Sequence, residues 1–317
     1  MKKIMKKLGF VLLCLLIFVS LFIVSFIITG RVITRKVNEP WQTTWDETVG
    51  TVYKDQNLNL ETQTGYEHYL PKKVKDNNEY SLILYIHGGG FTGGDKASGE
   101  LLCKYFTSQG YVCASVNYTL ADGKHTSNIN LMNEQIHQQV VEIKQSAEKY
   151  GYNLTQMALT GESAGGCLAM LYAYKEPENS CIPVKLLFQM TGPASFEPEY
   201  WGNTDSVTSA QFVSMMTGEE VTKEMIESKT ALNLINEISP TAFVKETSVP
   251  SIVAYGLKDK VVPVKLKYPL LEAYDENKVS YEYVEFTNSG HAMAFDWNKT
   301  KIYADKVNEY LQKYMPN

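Results

Sequence analysis

The chain has 317 residues, a hydrophobic fraction of 44% and a formal net charge of -5. That size and apolar content suit one large globular domain with an appendage, or at most two domains. The acidic balance provides no basic surface for nucleic acid, and there is no internal repeat or low-complexity tract.

The appendage comes first. Lys2, Lys3, Lys6 and Lys7 precede an uncharged apolar run from Leu8 to Thr29. About 20 apolar residues suffice to span a bilayer. A cleaved signal peptide has a shorter apolar core, roughly 7–15 residues, followed by small residues at the cleavage site. Here the run ends in Ile27-Ile28-Thr29-Gly30. After a short tail (1–7), residues 8–30 are expected to form an uncleaved single-pass anchor, with secretion after cleavage as the alternative. Arg31, Arg35 and Lys36 follow the run, so the positive-inside rule favours a cytoplasmic N-terminus only narrowly. The expected outcome is a folded domain outside the cell membrane. Residues 31–47 read as a stalk, in which Trp41 and Trp45 either rest at the membrane interface or pack on the domain.

From residue 48 onward, β-rich and helical runs alternate. Val49 to Tyr53 and Gly65 to Leu70 read as early antiparallel strands, and Ser81 to Ile86 as a continuous apolar strand of a buried parallel sheet. A helix over Gly99 to Gln109 leads to a strand over Tyr111 to Tyr118. The long amphipathic run Leu131 to Tyr150 stops at Gly151. A strand at Met157 to Leu159 precedes Gly161-Glu162-Ser163-Ala164-Gly165, and a helix rich in small residues follows to Tyr174. Val184 to Met190, Ser251 to Tyr255 and Ser280 to Phe286 complete the strands, with helices near Val264 to Tyr274 and Thr300 to Tyr314. Repeated βα units imply an α/β class, a doubly wound, mostly parallel sheet with helices on both faces. Residues 193–237 interrupt the rhythm and read as a small helical cap over the site, or as helices packed on the sheet edge. Cys14 lies in the apolar run; Cys103, Cys113, Cys167 and Cys181 lack metal-ligand spacing. They are expected as buried free thiols, with a Cys103–Cys113 or Cys167–Cys181 bridge left open.

Gly161-Glu162-Ser163-Ala164-Gly165, between a strand and a helix, has the form of a nucleophile elbow. A serine needs a base within hydrogen-bond reach, and the base needs a third group to orient it. Of the five histidines, only His291 combines a strand's carboxyl end with a late position in the chain. Asp259 follows the strand ending at Tyr255, 32 positions before His291, and is the expected orienting acid. Asp275 follows a helix and Asp296 comes after the histidine, so both are set aside. His87-Gly88-Gly89-Gly90 follows the strand ending at Ile86. The amides of Gly89 and Gly90, with that of Ala164, are expected to form an oxyanion hole. His87 and Asp95 are expected to organise that loop, and Glu162 to have a structural role. Neither a metal nor an organic cofactor is expected.

The order Ser163, Asp259, His291, with His87-Gly88-Gly89-Gly90-Phe91 and Gly161-Glu162-Ser163-Ala164-Gly165-Gly166, resembles α/β-hydrolase esterases and lipases. The similarity is greatest to the hormone-sensitive-lipase-like carboxylesterases, including carbohydrate-esterase relatives, and runs from about residue 60 to the C-terminus. Many such esterases carry Ala-Pro-Glu where this chain reads Leu120-Ala121-Asp122-Gly123-Lys124. The resemblance implies a serine hydrolase that cleaves small-molecule esters; short acyl groups are expected because the cap segment is modest and the sequence shows no broad apolar groove. A peptidase or an acyltransferase on the same fold would carry the same triad, and a non-enzymatic binding module would be expected to lack one of its members.

Overall fold

The computed structural model describes residues 29–72, 78–202 and 205–316. The anchor expected at 8–30 lies outside the described residues except for its last two. Among the described residues no helix is long and apolar enough to cross a membrane. Residues 29–38 are helical. The compact unit that carries the sheet begins at Trp41, ahead of the expected residue 48. The cause is Trp41 itself. Its ring is buried, with centroids 5.4 Å from Tyr105, 5.8 Å from Phe106 and 6.4 Å from Tyr303. Trp45 also joins the domain, over Gly50 and near the Lys104 ammonium.

Eight strands form one sheet: β1 (Gly50–Gln56), β2 (Gly65–Pro71), β3 (Glu79–Ile86), β4 (Val112–Asn117), β5 (Asn153–Glu162), β6 (Val184–Met190), β7 (Ser251–Gly256) and β8 (Tyr281–Phe286). Their spatial order is β1-β2-β4-β3-β5-β6-β7-β8. β1 and β2 pair antiparallel and β2 joins β4 antiparallel, while β4 through β8 run parallel in the order given. This is the mostly parallel sheet that the alternation of elements predicts, in the α/β-hydrolase-like form that the resemblance implies.

The parallel strands are apolar on both sides because helices cover both faces. In β3, Leu82, Leu84 and Ile86 join one core with Met132 and Ile136 of α2 (Ile129–Lys149), Leu168 of α3 (Ala164–Tyr174) and Leu270 of α7 (Lys267–Glu276). The alternate residues Ile83 and Tyr85 join the other core, with Phe106 of α1 (Glu100–Ser108) and Tyr303, Val307 and Leu311 of α8 (Trp297–Tyr314). Period-two alternation thus assigns successive side chains to two separate layers.

The insertion at 193–237 is helical, containing α4 (Ser206–Thr217), α5 (Lys223–Glu227) and α6 (Leu232–Glu237). α4 opens on Asp205, whose carboxylate accepts the amides of Val207 and Thr208, and ends at left-handed Gly218. It lies against α2, and Phe196, Trp201 and Phe212 form its aromatic core. Cys103, Cys113 and Cys167 are buried free thiols, and Cys181 is an exposed one.

Register places the functional loops together. Ile86 pairs with Gly161, Glu162 with Met190, Met190 with Ala254, and Gly256 with Phe286. The carboxyl ends of β3, β5, β6, β7 and β8 therefore share one rim, where ligands bind in open parallel sheets.

Candidate active site

Ser163 stands between β5 and α3 with φ 54° and ψ -126°, a region that non-glycine residues rarely enter. Its neighbours explain how the turn is made. A Cβ at Gly161 would lie 2.5 Å from the Gly165 backbone, and one at Gly165 would lie 2.0 Å from the Ile86 carbonyl oxygen. Only glycines at both positions let α3 descend onto the ends of β3 and β5. The Ser163 amide donates to the Met190 carbonyl at 2.9 Å, and the Ser163 carbonyl accepts from Cys167 at 3.1 Å. The side chain is thus held at the rim by its own backbone.

His291 is brought to it from β8. Nε2 lies 2.9 Å from Ser163 Oγ, and Nδ1 lies 2.7 Å from Asp259 Oδ2. The Asp259 side chain is fully buried, while that of His291 is 26% exposed and open to the cleft. A carboxylate can only accept, so the proton of the neutral imidazole sits on Nδ1, leaving the Nε2 lone pair for the serine hydroxyl. Asp259 is itself fixed: Oδ1 accepts the amides of Val261 at 2.8 Å and Val262 at 3.0 Å.

The His291 loop is closed by Asp296. Its carboxylate accepts from the Asn288 amide (2.8 Å), Asn288 Nδ2 (3.0 Å) and Ser289 Oγ (2.7 Å). Burial raises its pKa, but these hydrogen bonds from Ser289 and Asn288 hold it below the ordinary aspartate value. It follows the histidine in the chain, and its place is in the loop that carries His291. Asp275 accepts from Tyr281 Oη at 2.9 Å.

The loop after β3 supplies backbone donors. Gly89 (φ 117°) and Gly90 (φ 62°) occupy conformations open mainly to glycine. A Cβ on Gly89 would meet the Gly93 carbonyl oxygen at 2.2 Å. No acceptor for the amides of Gly89, Gly90 or Ala164 occurs among the described residues. Gly89 and Gly90 line the cleft, and Ala164 opens α3 beside Ser163.

His87 organises this loop. Its ring stacks on Tyr118 at 4.3 Å, Nδ1 lies 2.7 Å from the Gly88 carbonyl, and Tyr118 Oη donates to the His87 carbonyl at 2.9 Å. Burial holds its pKa below the ordinary histidine value, which keeps it neutral. Asp95 accepts from the Ala97 amide at 2.8 Å and from Asn117 Nδ2 at 3.0 Å. Tyr85 Oη donates to Glu162 at 3.3 Å.

The remaining histidines lie elsewhere. His68 is buried in β2, His125 pairs with Asp122 at 3.0 Å, and His137 stacks on Tyr172 at 3.7 Å. The cleft around Ser163 and His291 has a volume of about 580 Å³. Asp95, Ser98 and Glu162 form a polar part of its wall, and Thr191, Val261 and Ala292 also line it; among the described residues, none of 193–237 does. Thr191 had no signal in the sequence beyond its position after a strand.

Residues 67–273 match the BD-FAE family. Among curated relatives, Esterase LipC of Mycobacterium tuberculosis is 23% identical over 223 residues, 66% of this chain and 52% of that protein. The chain spans about half or less of the length of the curated relatives it matches. Among solved structures, a truncated carbohydrate esterase from gut microbiota superposes with a TM-score of 0.67 at 19% identity, covering 85% of this chain and 99% of that one. A thermophilic esterase of Thermogutta terrifontis, Est2, gives 0.66 at 18% identity, covering 85% and 95%. At such identities these structures bear on the fold alone.

Proposed function

The chain belongs to the BD-FAE family, among the hormone-sensitive-lipase-like esterases of the α/β-hydrolase superfamily, and on that footing we propose that it is a serine hydrolase of carboxylic esters. The single observation that carries this reading is the chain of contacts from Ser163 Oγ to His291 Nε2 (2.9 Å) and from His291 Nδ1 to Asp259 (2.7 Å). Ser163 Oγ attacks the ester carbonyl carbon as its proton passes to Nε2. Asp259 keeps the imidazole in the required tautomer and stabilises the imidazolium. Negative charge gathers on the former carbonyl oxygen, where the unpaired amides of Gly89, Gly90 and Ala164 receive it. Collapse breaks the bond to the alkoxy oxygen, and the alcohol leaves with the proton from Nε2. Water, deprotonated by His291, then attacks the acyl-Ser163 carbonyl; the acid departs and the serine is restored.

Short acyl groups suit the cleft. Among the described residues that line it, the aliphatic side chains are the small ones of Val261 and Ala292, with no long aliphatic or aromatic side chain to hold an extended acyl chain. The proposal also includes a single-pass anchor at 8–30 holding the domain outside the cell. Protease added to intact cells would then remove the domain, and its full protection would overturn that placement.

The decisive experiment treats the full chain with a fluorophosphonate. Covalent labelling at Ser163, lost in Ser163→Ala, is the expected result. A folded protein that takes up no label would overturn the reading.

A further inference from the structure

Four of the five loops that converge on the cleft contain one non-glycine residue at positive φ: Phe91 after β3, Ser163 after β5, Thr191 after β6 and Met293 after β8. Thr191 is the most costly of these. It is β-branched, and its φ of 51° is a region that such residues rarely occupy. Strain of this kind persists only where the surroundings over-determine the backbone, and here they do. The Thr191 amide donates to the Ala254 carbonyl at 2.8 Å. The next residue, Gly192, donates its amide to Gln189 Oε1 at 2.7 Å and accepts Tyr255 Oη at 2.6 Å. A Cβ on Gly192 would lie 2.7 Å from the Gly166 backbone, so the turn is pressed against the first turn of α3, behind the nucleophile.

Glycine or asparagine would make this turn at lower cost. What threonine adds is a hydroxyl and a methyl group at the cleft, which Thr191 lines although only 2% of its surface is exposed. The hydroxyl has no partner among the described residues, and it is not among the polar atoms sealed from solvent. Such a hydroxyl, on a rigidly held and nearly buried residue of the cleft wall, is without a partner among the described residues and is available to substrate.

We propose that Thr191 is a substrate-contacting, specificity-determining residue, whose hydroxyl hydrogen-bonds a polar substituent of the ester bound at Ser163. The inference rests on the esterase reading above. It deepens that reading by requiring an ester with a hydroxyl-type group close to the reacting carbonyl, on the acyl or the alcohol side. Sites built around such a hydrogen bond discriminate against the analogue that lacks it far more strongly than apolar pockets discriminate by size.

The test compares the full chain with Thr191→Val, Thr191→Gly and Thr191→Ser on two pairs of esters. Ethyl lactate against ethyl propionate probes the acyl side; 2-hydroxyethyl acetate against propyl acetate probes the alcohol side. Wild type is expected to favour the hydroxylated member of one pair by more than about 200-fold in kcat/KM, beyond what apolar size discrimination gives. Thr191→Val, which keeps the branching, and Thr191→Gly, which relieves the strain, should both lose that preference through KM for the hydroxylated ester. Thr191→Ser should retain it. Two variants without the hydroxyl but with opposite effects on the backbone separate recognition from folding. Ratios unchanged in both, with Ser163 still labelled by fluorophosphonate, would overturn the role of Thr191 alone. A wild-type chain that takes no label and cleaves none of the esters would overturn the esterase reading with it.

Discussion

Asp259 and His291 are joined by a divided carboxylate. Oδ2 lies 2.7 Å from His291 Nδ1, while Oδ1 is occupied by the backbone amides of Val261 and Val262. One oxygen faces the imidazole and the other fixes the loop. Asp259→Asn should separate the two tasks. Its amide oxygen can still accept the backbone amides, but its nitrogen then faces Nδ1 and favours the tautomer with the proton on Nε2. That tautomer cannot take the Ser163 proton, so kcat on a small aryl ester should fall ~10⁴-fold, the loss typical of such a swap in serine triads. Asp259→Ala should lose similar activity and about 1–3 kcal/mol of stability as well, because two amides go unpaired. Steady-state rates combined with urea unfolding would check both; an Asn variant within tenfold of wild type would exclude the orienting role.

The loop after β3 predicts unequal effects for two adjacent glycines. At Gly89 an added methyl would enter the Gly93 carbonyl, whereas at Gly90 the nearest atom is 4.0 Å away. Gly89→Ala should displace the donor amides and lower kcat by ~10²–10³, the usual loss of one such donor. Gly90→Ala meets only the left-handed penalty, about 1–2 kcal/mol, and should retain more activity. Equal losses in the two variants would mean that crowding against Gly93 does not govern the loop.

The features legible in the sequence are those encoded locally at strand ends. Val184–Met190 is bounded as its apolar run predicts, and each carboxyl end of a parallel strand carries its own loop. Ser163, His291, Asp259 and the Gly88–Gly90 run could therefore be placed at one rim without knowing how the loops fold. Long-range pairing was harder to read. β5 begins at Asn153, not Met157, because its polar start pairs with Glu79 and Tyr80 across a bulge. Trp41 joins the domain through rings far along the chain. Asp296 braces the loop of His291, a role invisible to an argument from residue order. Thr191 is one threonine after a strand until its φ and its neighbours are known.

Trp41 gives a prediction about stability without chemistry. It is buried against α1 and α8, on the opposite face of the sheet from the helix that carries Ser163. Trp41→Ala should cost about 3–5 kcal/mol, the usual range for deleting a buried large aromatic ring. kcat per folded molecule should remain within twofold of wild type. Urea unfolding followed by active-site titration would measure both quantities, and a fully stable variant would mean that the sheet-bearing unit does not need residue 41.

His68 makes the acid side of the stability curve specific. It is wholly buried in β2, and neither ring nitrogen has a partner among the described residues. Burial lowers its pKa to about 3, against roughly 6.5 in an unfolded chain. Between those values the unfolded state binds the extra proton, so the stability contribution is complete above about pH 6.5 and is lost as pH falls toward 3. The slope is at most about 1.4 kcal/mol per pH unit, or about 2 kcal/mol between pH 6.5 and 5. His68→Leu removes the titrating group together with two unsatisfied polar atoms, so it should cost little at pH 7.5 and flatten the decline below pH 6.5. Carboxylates titrate in both proteins, so the difference between the two curves isolates residue 68. Parallel urea-unfolding profiles at pH 7.5 and 5 would show that the buried imidazole finds a proton acceptor when charged.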